Sequence, residues 1–326
     1  MPETNSTKIF HWLQEHLGEH LKILIIPYKR DMWDSFEGIY QIANSTEGCS
    51  ADVMPIPYTF KGPSGQPVRW FIDTFDDVCD RRHTVDYQKK PKKGQYDAIL
   101  IHNPYDGANY VTSVHPGFYS DRLRPLTRCL ALVPYGVGTV CLITPGVVNC
   151  HVVFTENEQV IESFKEQIKE QGATQEEADW MANKMVYLGG SPKFDLNLQQ
   201  EIPEEWRDRI KGKKVVLLCT SVSAFLADPA QEMVKLGNII QEVSKDPERV
   251  LIWREHPLMK PTILAMRPQC VEMYGKFQLN YIEQDLGIMD RTQDYRIAFS
   301  VADVLYSDPS SLVTIWQTTG KEVHVI

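Results

Sequence analysis

The chain has 326 residues, with 43 acidic side chains against 34 Lys and Arg and a formal charge of −9 at pH 7. At about 150 residues per domain, this length suits two domains, each large enough to bury its own core. Apolar content of 43% and charged content of 24% exclude a disordered tail or a fibrous repeat. The acidic balance argues against a nucleic-acid partner, which would call for a basic excess, but an anionic small molecule needs only a locally basic site.

In chain order, segment 7–21 carries Ile9, Phe10, Trp12, Leu13, Leu17 and Leu21 near helical spacing, with Glu15, Glu19 and three histidines between them. An amphipathic helix docked on the protein's own core is expected; peripheral membrane contact is the lesser alternative, because the polar face is poor in Lys and Arg. LKILIIP (21–27) reads as a strand before the helical MWDSFEGIYQIA (32–43). Further strands are expected at ADVMPIP (51–57), YDAILIH (96–102), LALVPY (130–135) and HVVFTE (151–156), with a polar surface excursion and a hairpin between Pro57 and Pro91. Continuous rather than alternating hydrophobicity marks strands covered on both faces, so a parallel α/β sheet is predicted. Cys129 to Thr155 lacks Asp, Glu, Lys and Arg, but Pro134, Gly136, Gly138, Pro145, Gly146 and Asn149 suit turns between short strands rather than one lipid-spanning helix.

The second half repeats the pattern. Helices at 157–170 and 174–185, the latter opened by a Thr174/Glu177 capping box, precede VYLGG (186–190) and a linker-like segment 191–212. Strand KKVVLLCTS (213–221) follows, then a helix opened by Asp228 and Pro229 with Leu236, Ile239, Ile240 and Val243 on one face. Strands are expected at RVLIWR (249–254), NYIE (280–283), DVLYS (303–307) and EVHVI (322–326). The economical architecture is α/β, with two Rossmann-like domains at 1–195 and 196–326. Seven cysteines without a C-x-x-C pair suit reduced, mostly buried thiols in a cytoplasmic protein.

Ligands of open α/β sheets bind beyond the carboxyl ends of the strands, so the residues following each strand are the candidates. In SDPSSLVTIWQTTGK (307–321), Asp308 is a candidate N-cap and Pro309 suits the first helical position. Ser310 and Ser311 then lie where free backbone N–H groups favour an anion, or else merely face water. In LIWREHPLMKPTI (251–263), Arg254, Glu255 and His256 reach the sheet edge, with Lys260 following; Arg and His can hold a diphosphate, and a surface ion pair is the plainer alternative. DAILIHNPYDGANYVTSVHPGFYS (97–120) offers His102, Asp106 and His115 as a base oriented by a carboxylate, or as loop residues satisfied by the backbone. Neither H-E-x-x-H nor Cys/His spacing supports a metal. PYKRDMWDS (27–35) puts Lys29 and Arg30 before a helix but lacks a Gly-rich turn, and the chain has no Walker A motif and no G-x-S-x-G elbow.

Together, VVFTENEQVIESFKE, VYLGGSPKFDL, KKVVLLCTS, WREHPL and ADVLYSDPSSLVTIWQTTGKEVHVI resemble the CDP-glycerol:poly(glycerol phosphate) glycerophosphotransferases, the teichoic-acid polymerases and their relatives. The order and approximate spacing agree from about residue 97 to the end. The resemblance implies a GT-B fold of two Rossmann-like domains facing a cleft, with a CDP-linked donor held mainly by the second and no cofactor. By position, His256 looks like the family's His-Pro histidine at the donor phosphate. Ser310 and Ser311 look like the diphosphate-binding serines, with Asp308 opening their turn, and GGSPKFD (189–195) is similar to a Gly-x-Pro-Arg-Asn-Asp element with Lys193 for Arg. There are departures. The family's first-domain Trp-His-Gly-Thr-Pro motif, whose His is the expected base, should fall near LVPYGVGT (132–139), where Pro134 and Tyr135 stand instead; its Thr-Phe-Arg segment is replaced by TSVSAFL.

The resemblance implies transfer of a glycerol-phosphate-like unit from a CDP-alcohol to a hydroxyl acceptor, a polyol phosphate or glycan of a cell-surface polymer, with release of CMP. A cytoplasmic location is expected, with the inner face of the cell membrane as the alternative. Arg254, His256, Lys260 and a helix N-terminus would supply the local positive potential, and His102 or His115, oriented by Asp106, would replace the missing base. A GT-B glycosyltransferase using a nucleotide sugar and a non-catalytic nucleotide-binding relative are the alternatives. Relatives of this type continue into closing helices beyond the strand EVHVI, so either a minimal version or a shortened C-terminus is expected.

Overall fold

The computed structural model describes residues 3–138, 142–195 and 197–326. The chain divides into two compact units, residues 1–60 with 67–195 (unit 1) and residues 61–66 with 196–326 (unit 2).

Unit 1 contains β1 (Lys22–Ile26), β2 (Ser50–Val53), β3 (Tyr58–Lys61), β4 (Pro67–Phe71), β5 (Ala98–Ile101), β6 (Thr112–Val114), β7 (Cys129–Leu132), β8 (Val152–Thr155) and β9 (Met185–Tyr187). Six of these form a sheet in the order β2-β1-β5-β7-β8-β9, and its pairings are all parallel. Side chains alternate across a strand, so Leu24, Ile26, Ile99, Ile101, Leu130, Leu132 and Val153 enter one core. Ile23, Ile25, Ala98, Leu100, Ala131, Val152 and Phe154 enter another on the opposite face. Both faces are apolar because both are covered, which is why these strands read as continuous apolar runs.

The first helix, Asn5–Leu17, buries Ile9, Phe10 and Leu13 in the second of these cores. Its apolar face is therefore spent inside unit 1 and is not available to a membrane surface. Asp195 accepts hydrogen bonds from Asn5 N–H (2.9 Å) and Ser6 N–H (2.7 Å), so the GGSPKFD element anchors the start of this helix. Residues 32–43 are not one helix: a 3-10 segment, Arg30–Ser35, precedes the α-helix Glu37–Ser45. The excursion after Pro57 does contain a hairpin, with strand order β4-β3-β6 in a small sheet. Thr174 and Glu177 form the reciprocal capping box of helix Gln175–Ala182. The uncharged stretch from Cys129 is broken into β7, the short helix Pro145–Asn149 and β8; no helix among the described residues is long and apolar enough to cross a membrane.

Unit 2 contains β10 (Lys214–Thr220), β11 (Arg249–Glu255), β12 (Ile288–Met289), β13 (Val304–Ser307) and β14 (Glu322–Val325), in the order β12-β11-β10-β13-β14. These pairings too are parallel. Val216, Leu218, Leu251, Trp253 and Val304 pack one face together with helix Pro229–Ser244, which Asp228 caps through Ala230 and Gln231 N–H. NYIE is not a strand: it ends the helix Val271–Glu283, whose Tyr274, Gln278 and Tyr281 are buried. Spacing of four and three residues puts those three on one helical face, which a four-residue apolar window cannot reveal. Helix Glu204–Ile210 lies within the stretch expected as linker. Of the six described cysteines, five are buried; Cys141 lies outside the described residues.

Candidate functional site

In unit 2 the carboxyl ends of three strands are in register, Thr220 beside Glu255 and Cys219 beside Ser307. The chain leaving each outer strand bonds back to the central one. His256 N–H donates to Thr220 C=O (3.1 Å), and Asp308 N–H donates to Cys219 C=O (3.3 Å). His256 and Asp308 thus flank the end of β10 at roughly two strand spacings, about 10 Å apart. The His256 Nδ1 accepts from Leu258 N–H (3.0 Å), so the proton of the neutral ring sits on Nε2, which is a donor suited to an anionic oxygen.

Asp308 does not open the following helix. That helix runs Ser311–Gln317, with Ser310 in the extended N-cap conformation and without a side-chain cap bond. The Asp308 carboxylate is fully buried and turns the other way, accepting from Ser221 N–H (2.6 Å) and from the Lys235 ammonium (2.5 Å). A cationic donor makes a stronger, charge-assisted bond than the amides of an exposed first turn. Asp308 therefore ties the β13 end to the β10 end and to helix Pro229–Ser244. Ser310 and Ser311 lie half-buried at the turn it supports.

The expected basic spot is largely neutralised. Arg254 is 6% exposed, and its Nη1 donates to Asp290 Oδ2 (2.6 Å) and to Thr292 O and Oγ1 (3.1 and 3.2 Å). Lys260 faces Glu255 at 3.7 Å, and Lys235 is shared between Asp308 and Glu232. Glu255 is itself gripped by Tyr274 (3.0 Å) and Gln278 (2.5 Å). An anion at this edge would rest on serine hydroxyls, backbone N–H groups and His256, with Arg254 positioning the β11 and β12 ends from below.

Unit 1 has its own carboxyl-edge site, but the three residues expected there do not form a hydrogen-bonded set. His102 is completely buried: Tyr28 N–H donates to its Nε2 (3.2 Å), and its Nδ1 lies 3.2 Å from Ser35 Oγ. The Ser35 hydroxyl donates onward to Met32 C=O (2.9 Å). These contacts fix the Nδ1–H tautomer and hold the ring stacked on Phe36. Burial, then the Lys193 and Lys29 ammonium groups, push its pKa down to about 3. A neutral imidazole with both nitrogens occupied and such low basicity positions the loop rather than removing a proton. Asp106 accepts from Ser120 N–H (3.0 and 3.1 Å) and Oγ (2.6 Å); burial raises its carboxyl above the ordinary range, and it orients helix Ser120–Leu123 instead of a histidine. His115 accepts from Gly117 N–H through Nδ1 (3.1 Å) and packs on Trp70. Lys193, standing for the family's Arg, pairs with Asp34 at 2.5 Å, and Lys29 pairs with Asp31 at 2.6 Å.

Next to His102 lies a cavity of about 130 Å³. It is bounded by Tyr105, Tyr135, Thr144, Val147, Phe154 and Glu156, among others, at the ends of β5, β7 and β8. Gly146 packs against Pro104, one of the wall residues: its N–H donates to Pro104 C=O (2.8 Å), and a Cβ there would come within 2.6 Å of that oxygen. Tyr135, the residue standing where the family base is expected, hydrogen-bonds Tyr105, and burial raises its pKa well above the ordinary phenol value. Glu156 is half-buried, accepts a hydrogen bond from Gly138 N–H, and has its carboxyl pushed up by burial. Glu156 ends the segment HVVFTE expected as a strand, but β8 stops at Thr155; as the first residue beyond β8, Glu156 is the one to which the strand-end rule points. Tyr105 and Thr144 carried no comparable signal. No group of three or more metal-ligating side chains occurs among the described residues.

The chain is similar along almost its whole length to several solved structures. A UDP-GlcNAc 2-epimerase from Methanocaldococcus jannaschii, in complex with UDP-GlcNAc and UDP, aligns over 93% of this chain and 83% of its own, with a TM-score of 0.55 and 12% identity. The Neisseria meningitidis UDP-GlcNAc 2-epimerase bound to UDP-GlcNAc aligns over 94% and 82%, with a TM-score of 0.54 and 11% identity. The wall teichoic acid polymerase TagF, soaked with CDPG, aligns over 98% and 74%, with a TM-score of 0.51 and 12% identity. The fold is GT-B-like. Neither a family profile nor a curated protein sequence matches the chain. Identities this low fix the fold and leave the chemistry to the residues.

Proposed function

We propose that this GT-B-like chain is a transferase that moves a glycerol-phosphate-like unit from a CDP-alcohol to a hydroxyl acceptor, releasing CMP. The observation that carries the reading is the carboxyl edge of unit 2, where His256, with its Nδ1 engaged by Leu258 N–H, and the Ser310–Ser311 turn flank the end of β10. In such a transfer the acceptor oxygen bonds to the β-phosphorus as the bond from that phosphorus to the bridging oxygen breaks, so negative charge builds on the phosphate of the leaving CMP, and preorganised donors lower the barrier by meeting it where it develops. His256 would donate from Nε2 to a diphosphate oxygen, Ser310 and Ser311 would bind the same group, and Arg254 and Asp308 would hold the two turns in place. The acceptor, a glycan or polyol chain, would bind on unit 1. The likeness to TagF supports a CDP-linked donor. The likeness to the epimerases favours a second reading, a nucleotide-sugar ligand at the same edge.

Calorimetry with CDP-glycerol, CDP and UDP-GlcNAc separates the readings. CDP-glycerol is expected to bind tightest and to release CMP when a polyol acceptor is supplied. His256→Ala should weaken CDP-glycerol binding at least tenfold, the loss of about one charge-assisted hydrogen bond at ~1.4 kcal/mol per decade. Equal affinity of wild type and variant would refute the role given to His256, and selective binding of UDP-GlcNAc would move the assignment to a nucleotide sugar.

A further inference from the structure

The cavity at the carboxyl edge of unit 1 has a chemistry at odds with a phosphate-bearing acceptor. We infer that it binds a small uncharged hydroxylated group, a three-carbon polyol or a single sugar ring, with Glu156 and Thr144 as its polar partners. The identification of this ligand as the acceptor rests on the transferase reading; the binding itself does not.

Four observations support this site. Its volume, about 130 Å³, is close to the ~150 Å³ that admits a benzene ring, so one ring or a short polyol fills it and a polymer repeat does not. Its walls are mainly apolar and aromatic, with Tyr105, Tyr135, Phe154 and Val147 offering faces to C–H groups. Its polar groups are few and uneven. One oxygen of Glu156 is engaged by Gly138 N–H and, weakly, by the Asn157 amide (3.5 Å), whereas Oε2 has no hydrogen-bond partner among the described residues. The Thr144 hydroxyl, on a residue 8% exposed, is buried with no partner among the described residues. A buried orphan hydroxyl is costly, and a ligand oxygen that pairs with it recovers that cost.

Charge selects the class of ligand. Glu156 is the only Asp, Glu, Lys or Arg in the wall among the described residues, and the nearby Lys29 and Lys193 ammonium groups are bound to Asp31 and Asp34. A phosphate here would meet a carboxylate without a free cation, whereas a hydroxyl can donate to Glu156 Oε2 and accept from Thr144 Oγ1. Burial lifts the Glu156 carboxyl above its ordinary range, in keeping with a site screened from water.

The test is saturation-transfer NMR on the full chain with glycerol, methyl glucoside and glycerol 3-phosphate, in the absence of any nucleotide. Glycerol or methyl glucoside should bind in the millimolar range, and glycerol 3-phosphate at least tenfold more weakly. Thr144→Val, which keeps the shape, and Glu156→Gln, which removes the charge, should each weaken the neutral ligand at least fivefold. Glu156→Gln should also narrow the gap between glycerol and its phosphate; Asp208→Ala, at an exposed position, should leave polyol binding unchanged. Preference for glycerol 3-phosphate, or neutral binding indifferent to both unit 1 variants, overturns the inference. If polyols bind as stated but CDP-glycerol yields no CMP, the transferase reading fails while this site stands.

Discussion

His102 makes unit 1 sensitive to acid in a calculable way. Its ring is completely buried, accepts Tyr28 N–H and contacts Ser35; burial first, and then Lys193 and Lys29, lower its pKa from 6.5 to about 3. The unfolded chain takes up a proton as the pH falls through about 6.5, but the folded chain does not until about 3. Stability is therefore fully present above pH 6.5 and is lost progressively as the pH falls from there to 3. At ~1.4 kcal/mol per pH unit, the loss between pH 7 and pH 5 is about 2 kcal/mol, and about 4 kcal/mol once pH 3 is reached. His102→Asn keeps one acceptor and one donor but cannot titrate over this range. Opening free energies of the β1 and β5 amides, from hydrogen exchange corrected for intrinsic rates, should fall about 2 kcal/mol further in wild type than in the variant between pH 7 and pH 5. Parallel pH dependence in the two proteins would show that His102 is charged in the fold and would refute the assignment of a neutral, positioning ring.

Asp308→Ala removes the partner of Ser221 N–H and of Lys235. Losing one member of a buried pair costs about 3–5 kcal/mol, but Lys235 is 29% exposed and keeps Glu232 at 2.7 Å, so a loss of about 2–3 kcal/mol is expected in urea unfolding, against less than about 0.5 for exposed Asp208→Ala. Thr174→Ala breaks the capping box of helix Gln175–Ala182 and should cost about 1 kcal/mol, read as faster hydrogen exchange of those helix amides with the β10 and β11 amides unaffected.

The strands were legible in the sequence because parallel strands covered on both faces are apolar at every position, and local signals of that kind survive without tertiary information. The Asp228 cap and the Thr174/Glu177 box were legible for the same reason, since each is settled within a few residues. NYIE differs from the strand its pattern suggests because four residues do not separate a strand from the last turn of a helix; Tyr274, Gln278 and Tyr281 only declare their common face over eight. The site was legible as an address rather than as chemistry. Strand ends pointed to Arg254, His256, Asp308, His102 and Asp106, but not to what each would touch.

The opening balance of charge illustrates the same division. A charge of −9 and 326 residues set the class of protein and the size of its units. Only the folded chain decided that the apparent basic spot is mostly paired, Arg254 to Asp290 and Lys260 to Glu255, that Asp308 turns inward to Lys235, and that Glu156 joins His102 in the wall of the unit 1 cavity. The reason is physical. Apolar periodicity is fixed by neighbours along the chain, whereas the state of an ionisable group is fixed by its burial and by partners that lie tens of residues away: 36 from Arg254 to Asp290 and 73 from Lys235 to Asp308.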